Sequence, residues 1–487
     1  MNDGIRQRGA AVRPAWWPRA VVWAAAAFCA AHLAVTLGWV FAPGVNEYRE
    51  WAQADAALRI FSPGGPYGGG AEEGIYLYGL LYPLLGGALH RLVLGDVLVE
   101  LRLLSYALTW CTALVAARML WRRTGEAWVA ALGCALLLVV DWQNVTGTAT
   151  PAPLGSLLLL LAIGRAEARK PVAAGVLSAL CFFVKPYFVA VCLPLFVFFC
   201  FRSRRAALRY SAAALLSGLA MCLSVKAVFP YYFAYNVVHH LAAASAVWGH
   251  LGRQVLIGAL IFSPLFAVAL LSLRRPRAAL RADAAALCAV LLCLVWLRLG
   301  LHAGAFMSYA YHLCLPPLVV FSLSCVPALR LRWRGLFALS VLAIPIVGGS
   351  LWLNLPLPPR GLYGQGRTLA AVVPSGAVNL SPAMARTAYT RGLRSLDNGQ
   401  GQYVSSLYSD RPAVLALFPE VRDLRRRAQT FEPELHGAVA SGRWAWVVSD
   451  ARSIVPPAAF RQAGYAEQAR RTLRVGVHDI DVFLWKK

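Results

Sequence analysis

Apolar runs of roughly 14–24 residues recur from Ala20 to Leu355 and then stop. A bilayer core of about 30 Å takes about 20 helical residues, and fewer where a helix ends at a water-filled cavity. The pattern predicts a polytopic α-helical membrane protein. Short arginine-rich connectors separate the runs: WRRTG, RAEARK, RSRRAALR, RRPRAALR and RLRWRG. With all of them in the cytoplasm, the positive-inside rule orients the chain. Crossings then fall at about 18–41, 98–120, 127–143, 151–164, 209–229, 254–273, 283–300, 311–329 and 335–354. Residues 171–201 lie between two cytoplasmic signals and must cross an even number of times. Two short helices meeting near Lys185-Pro186 satisfy that parity, and so does one tilted helix with an arginine-rich loop outside. The hairpin brings the count to about 11 transmembrane helices, with the N-terminus cytoplasmic and the C-terminus outside.

Two domains follow from this pattern, a membrane domain over 1–354 and a soluble one over 355–487. The first outer loop, 42–96, carries juxtamembrane helices. Its stretch NEYREWAQADAALRIF is amphipathic, with Tyr48, Trp51 and Leu58 available to face lipid and Glu47 and Glu50 held at the membrane surface. GIYLYGLLYPLLGGALHRLVLG, residues 74–95, is long and apolar enough to cross. A crossing there would invert the arginine pattern that follows, so the reading is a helix lying in the outer leaflet. Beyond LNLPLPPRG the chain alternates shorter patterns. AVNLS, WAWVVSD and DVFLWKK read as buried strands and PEVRDLRRRAQ as a helix, giving a small extracytoplasmic α/β domain.

Composition agrees: 59% of residues are hydrophobic, which excludes an ordinary soluble globule. The net charge of +25 does not point to nucleic acid, because before residue 355 the basic residues sit mostly in the short connectors. All 11 cysteines fall between Cys29 and Cys325, in the apolar segments, so no disulfide framework is indicated.

Seven of the twelve acidic residues before 355 lie between Glu47 and Glu100. An outer loop this acidic is where a general base would sit, and Glu47, just past the first helix, is the first candidate. Cationic groups at cavity depth or near the outer surface are few: Lys185, Lys226, Arg253, Arg298 and the histidines His239, His240, His302 and His312. A phosphate would gain from one or two of them away from bulk water. Arg298 and Lys226 also have the spacing of residues that snorkel outward. Lys185, at a proline-broken point within an apolar run, is harder to assign to a helix end. The histidines lack a regular zinc-ligand spacing.

The order of these parts resembles the GT-C class of membrane glycosyltransferases, which use lipid-phosphate sugars and include aminoarabinose transferases and relatives of the protein O-mannosyltransferases. NEY at 46–48 is similar to the acidic motif after helix 1, and GGPYGGG with YLYGLLYPL to the G-x-P-Y … Y-x-P-L segment. VELRLLSYAL at 99–108 resembles A-R-L-x-S-A-L, AGVLSALCFFVKPYF at 174–188 the lysine-proline hairpin, and GAFMSYAYHLCLPPL the G-A-x-x-N-Y-x-x-E segment. The resemblance implies an inverting transfer of a sugar from a polyprenyl-phosphate donor to an envelope glycan, lipid or protein, at the outer face of a bacterial inner membrane. It implies Glu47 as base, and a donor phosphate met by Lys185, with Arg298 and Lys226 as further candidates. Glu50, Tyr78, Tyr82, Tyr309 and His312 are the candidate substrate contacts. A divalent cation, Mg or Mn, would need Glu47 with Asp141, because the second acidic motif reads ATPAP here. That departure leaves a metal-free mechanism, a divergent acceptor and an inactive homologue all open. A transporter or flippase of a lipid-linked or anionic solute is the alternative, using Lys185 as a midmembrane contact.

Overall fold

The computed structural model describes residues 16–41, 50–67, 76–142, 148–238, 263–270, 283–299 and 310–328, parts of 334–341, and most of 369–396 and 412–487. The chain is a helical membrane protein. Among the described residues, three helices are long and apolar enough to span a bilayer: α1 (Trp17–Val40), α4 (Val97–Thr124) and α9 (Arg204–Val228). Between α1 and α4 lie α2 (Glu50–Arg59) and α3 (Leu81–Val93). Shorter helices complete the bundle: α5 (Ala127–Trp142), α6 (Ala152–Glu167), α7 (Pro171–Phe182), α8 (Cys192–Arg202), α10 (Ala284–Leu299) and α11 (Leu315–Cys325). The expected crossings at 254–273 and 335–354 lie largely outside the described residues.

The helix ends have local causes. Asp96 caps α4 by accepting from the N–H groups of Leu98 (3.0 Å) and Val99 (3.2 Å), and Gly125 closes it in the left-handed region at φ +69°. Ser203 caps α9, accepting from Ala206 N–H. At one end of the bundle Arg123 of α4 pairs with Glu167 of α6 and with Asp283 before α10, tying three helix ends together.

Pro186 ends the α7 run, and Lys185 is extended at φ −153°, ψ 134°. A 3₁₀ turn over Pro186–Val191 then leads into α8. The arms on either side run antiparallel. Tyr210 of α9 reaches both, its hydroxyl 3.0 Å from Ser178 Oγ and 3.3 Å from the Cys192 carbonyl, seven residues before and after Lys185. The carbonyls freed at the break do not stay empty. Phe183 O accepts from Leu81 N–H (3.0 Å) and Val184 O from Gly79 N–H (3.1 Å). A Cβ at Gly79 would lie 2.1 Å from Phe183 O, so only glycine permits this approach. These bonds hold 76–80 against the hairpin tip out of helical conformation. The helix expected over 74–95 is therefore shortened to α3.

A second expectation is corrected at α2. Trp51 does not face lipid: it is 4% exposed, and its ring packs 5.4 Å from that of Tyr389. The cause is the alanine-rich surface of α2. It lets α3 approach so closely that a Cβ at Gly87 would lie 2.6 Å from Ala57 O. With α3 on one side and Tyr389 on another, α2 is buried from Glu50 to Ala57 except at Asp55.

Residues 378–486 build a five-stranded sheet with order β2-β1-β3-β5-β4: β1 Val378–Asn379, β2 Arg394–Ser395, β3 Trp446–Asp450, β4 Ala466–Val475, β5 His478–Lys486. The β2-β1-β3 half is parallel and the β3-β5-β4 half antiparallel. The three segments expected as strands hold β1, β3 and β5. Trp485 anchors the core, stacked 5.4 Å from Phe460 with its indole N–H on Ser449 Oγ (2.8 Å). Helix α12 (Ala385–Thr390) follows β1, and α13 (Glu420–Ala440) extends the expected helix through Pro433. The sheet sits on the end of the bundle that holds the hairpin tip. Arg386 pairs with Asp96 at the start of α4, and one apolar core joins Trp51, Ala54 and Leu101 to Val448 and Leu484.

Candidate functional site

The hairpin break fixes Lys185. Its side chain is only 8% exposed, with Nζ 4.9 Å from the Tyr78 ring centroid and 5.8 Å from that of Tyr187. Two π faces suit an ammonium held away from water. Tyr78 is positioned by its backbone, whose carbonyl accepts from the Tyr67 hydroxyl (2.7 Å) and from Asn236 Nδ2. Behind the turn, Gly155 of α6 lies against the Phe188 ring, with the next residue, Ser156, on His312. His312 is buried in a single π-helical turn, Ala310–Cys314, that leads into α11. The Ser156 hydroxyl donates to the His312 carbonyl (2.8 Å) and lies 3.4 Å from its Nδ1. Hairpin, α6 and the π turn thus bring Lys185, Tyr78, Tyr187, Ser156 and His312 into one neighbourhood.

Beside it is a latch. Arg102 of α4 is fully enclosed and forks onto Glu50, Nε to Oε1 at 2.6 Å and Nη2 to Oε2 at 2.7 Å. Its Nη1 reaches the Val40 carbonyl at the end of α1 (3.2 Å), and Glu50 Oε1 also accepts from Ala149 N–H (2.9 Å). One turn along α4, Ser105 Oγ bonds Thr150 N and O, both at 2.9 Å, and the Tyr82 hydroxyl at 2.7 Å. Two residues of the R-x-x-S spacing therefore tie α1, α2, α3 and the 149–150 segment to α4.

Several expected contacts are bonded within the protein. Glu50 is engaged by Arg102, and the Tyr82 hydroxyl by Ser105 and the Leu101 carbonyl, so both hold the scaffold in place. Lys226 stands apart from the Lys185 group: it is 47% exposed and pairs with Glu420 of α13 at 2.7 Å. Lys185, Tyr78 and His312 do come together. Glu47 and Tyr309 lie outside the described residues, as do the side chains of Asp141 in α5 and Arg298 in α10. Among the described residues no group of three or more His, Cys, Asp or Glu is placed to hold a metal ion. The two residues expected to hold one are not among them.

At the sheet-facing rim Asp96 carries a shifted acidity. Burial would raise its carboxyl, but the Arg386 guanidinium and the N–H groups of Val99 and Leu98 outweigh that and hold it below the ordinary carboxylate range. Within the bundle an apolar groove of about 520 Å³ runs between the hairpin and α9, from Tyr210 and Phe196 up to Phe183. Its upper end is two residues from Lys185.

Arg102 and Ser105 lie in VELRLLSYAL and Tyr187 in AGVLSALCFFVKPYF, but pattern reading gave them no role, and it passed over Ser156. The R-x-x-S spacing at 102–105, one helical turn with a charge in an apolar run, is the one signal that could have marked the latch.

No family model matches the sequence, and no curated protein does. Solved structures do resemble it. ArnT from Cupriavidus metallidurans in the apo state aligns with TM-score 0.64 at 12% identity, over 96% of this chain and 98% of that one. The same protein bound to undecaprenyl phosphate aligns with TM-score 0.58 at 14% identity, over 94% and 97%. The oligosaccharyltransferase AglB from Archaeoglobus fulgidus, in complex with an inhibitory peptide and a dolichol-phosphate, gives TM-score 0.51 at 12% identity, over 92% and 72%. ArnT and AglB are both GT-C glycosyltransferases, and their likeness to this chain, nearly end to end for ArnT, identifies its fold as the GT-C glycosyltransferase fold.

Proposed function

We propose that the protein is an inverting glycosyltransferase that moves a sugar from a polyprenyl-phosphate donor to a cell-envelope acceptor at the outer face of the bacterial inner membrane. The observation that carries the reading is Lys185, held nearly out of water between two tyrosine rings at the tip of a broken hairpin. The structural neighbours support the substrate class: one is ArnT bound to undecaprenyl phosphate, another AglB with a dolichol-phosphate. In this reading about eleven helices cross the membrane, the N-terminus is cytoplasmic, and the sheet of 378–486 belongs to an extracytoplasmic domain spanning 355–487.

The isoprenoid chain lies in the groove between the hairpin and α9, whose lining reaches Phe183. A carboxylate in the first outer loop, Glu47, takes the acceptor's proton. The acceptor oxygen attacks the anomeric carbon from the face opposite the phosphate, so configuration inverts. The bond from anomeric carbon to phosphate oxygen breaks, and Lys185 stabilises the charge that develops there. A preorganised donor of this kind is worth about 10²–10³ in kcat. Transfer of labelled sugar from undecaprenyl-phosphate donors in membranes tests the reading, comparing wild type with Glu47→Gln, each with and without a chelator. Product from wild type and none from the variant is the expected result. Equal product from both would remove Glu47 from the mechanism, and loss of product with the chelator would assign a metal to the site.

A further inference from the structure

The charge arithmetic of that transfer, on the reading just given, assigns a task to His312. The donor is a phosphodiester with one negative charge, and the leaving group is a phosphate monoester that reaches two, its second pKa being about 6. One proton, from the acceptor hydroxyl, is set free. The products therefore place one more negative charge at the hairpin tip than the substrates did.

The geometry around His312 selects which ring nitrogen meets that charge. Ser156 spends its hydroxyl hydrogen on the His312 carbonyl at 2.8 Å. Toward Nδ1, 3.4 Å away, the same oxygen can then only accept. Read as a hydrogen bond, that contact places the N–H on Nδ1 and the lone pair on Nε2, the nitrogen that takes a proton. A second positive charge near the Lys185 ammonium is unfavourable by itself, so the ring charges only when the phosphate dianion lies between the two groups. Among the described residues, the other titratable groups about the turn are Tyr187 beside Lys185, Cys314 on the turn itself, and Cys293 of α10 within hydrogen-bonding reach of Cys314. From α6 comes the hydroxyl of Ser156, and α11 adds no charged side chain near its start. A π turn at this position is itself the kind of local departure that recurs at functional sites.

We propose that His312 is the proton-holding residue of the product complex. As the bond to the anomeric carbon breaks, its electron pair stays on the phosphate oxygen. Glu47 returns the acceptor's proton to water, Nε2 takes one up, and the phosphate dianion sits between the Lys185 ammonium and the His312 imidazolium. Release of the lipid phosphate discharges the ring.

The test is calorimetric, on the purified full-length protein in nanodiscs. A water-soluble short-chain prenyl phosphate and its methyl diester are titrated at about pH 7.5 in two buffers of different ionisation enthalpy. There the free monoester is already a dianion and an ordinary histidine is neutral. Wild type is expected to bind the monoester with uptake of close to one proton, and the diester with none. His312→Gln is expected to abolish the uptake and to weaken monoester affinity at least tenfold more than diester affinity. Monoester binding to wild type without proton uptake, or uptake that survives in His312→Gln, overturns the proposal while leaving the phosphate site standing. The wild-type measurement does not depend on the variant folding. Failure of either ligand to bind wild type removes the phosphate reading itself, and this proposal with it.

Discussion

Replacing Arg102 by methionine isolates the latch. In the native chain the guanidinium donates to both oxygens of Glu50 and to Val40 O, and all of these atoms are enclosed. Without it, the fully buried Glu50 carboxylate loses its guanidinium and retains the neutral Ala149 N–H, and Val40 O loses the Arg102 bond. Removing one partner of a buried pair costs about 3–5 kcal/mol, most of it the stranded charge. The double variant Glu50→Leu/Arg102→Met carries no stranded charge. It keeps the backbone losses at Ala149 and Val40, and is expected to be the more stable of the two. Thermal and denaturant unfolding in nanodiscs reads the difference. The single variant should also lose transfer activity, because Glu47 lies three residues before Glu50 on the same tether. Equal stability of single and double variants, or a single-variant cost under about 1 kcal/mol, would refute the assignment of a charged latch.

Gly79→Ala drives a methyl into the Phe183 carbonyl and should destabilise the hairpin tip by about 1–3 kcal/mol, read by unfolding; an unchanged midpoint would mean 76–80 does not rest on the tip as described. Lys226→Gln removes an exposed pair with Glu420, so transfer should stay within about twofold and stability within about 1 kcal/mol; a hundredfold loss would return Lys226 to the phosphate site. Asp96→Asn keeps the cap acceptor but deletes the charge pair with Arg386. Because the folded carboxyl titrates below its unfolded value of about 3.9, the pair's contribution is present above that pH and is lost as pH falls through the lowered folded value. The stability gap between wild type and this variant should therefore be present near neutrality, modest because the side chain is 38% exposed, and close on acidification; a gap that widens in acid would contradict it.

The spans α1, α4 and α9 are legible in the sequence because an uninterrupted apolar run between arginine-rich connectors has few other uses. The break is legible from a proline inside an apolar run at Lys185-Pro186, and the Tyr210 hydroxyl bonds the arms on both sides of it. What no local pattern carries is pairing across distance. Glu50 and Arg102 are 52 positions apart, and an acidic residue in an acidic loop reads as a solvated or catalytic group until its partner is placed. Trp51 reads as a lipid anchor because its amphipathic face is real, but the face is covered by protein. Strand β4, AEQARRTLRV, escapes notice because an edge strand bonded only to β5 tolerates a polar, charged sequence that looks like a loop. At the site, Lys185 and His312 announce themselves as polar residues in apolar surroundings. Ser156 does not, since a serine inside a helix is ordinary until its neighbour is known.

The most direct test of the central claim is sugar transfer by the purified protein in nanodiscs, using a panel of labelled undecaprenyl-phosphate sugars and comparing wild type with Lys185→Gln. The account predicts transfer by wild type from at least one donor, and a kcat about 10²–10³-fold lower in the variant at saturating donor. Undiminished transfer by Lys185→Gln, or movement of intact lipid-linked sugar across the bilayer by wild type without any transfer, would contradict it.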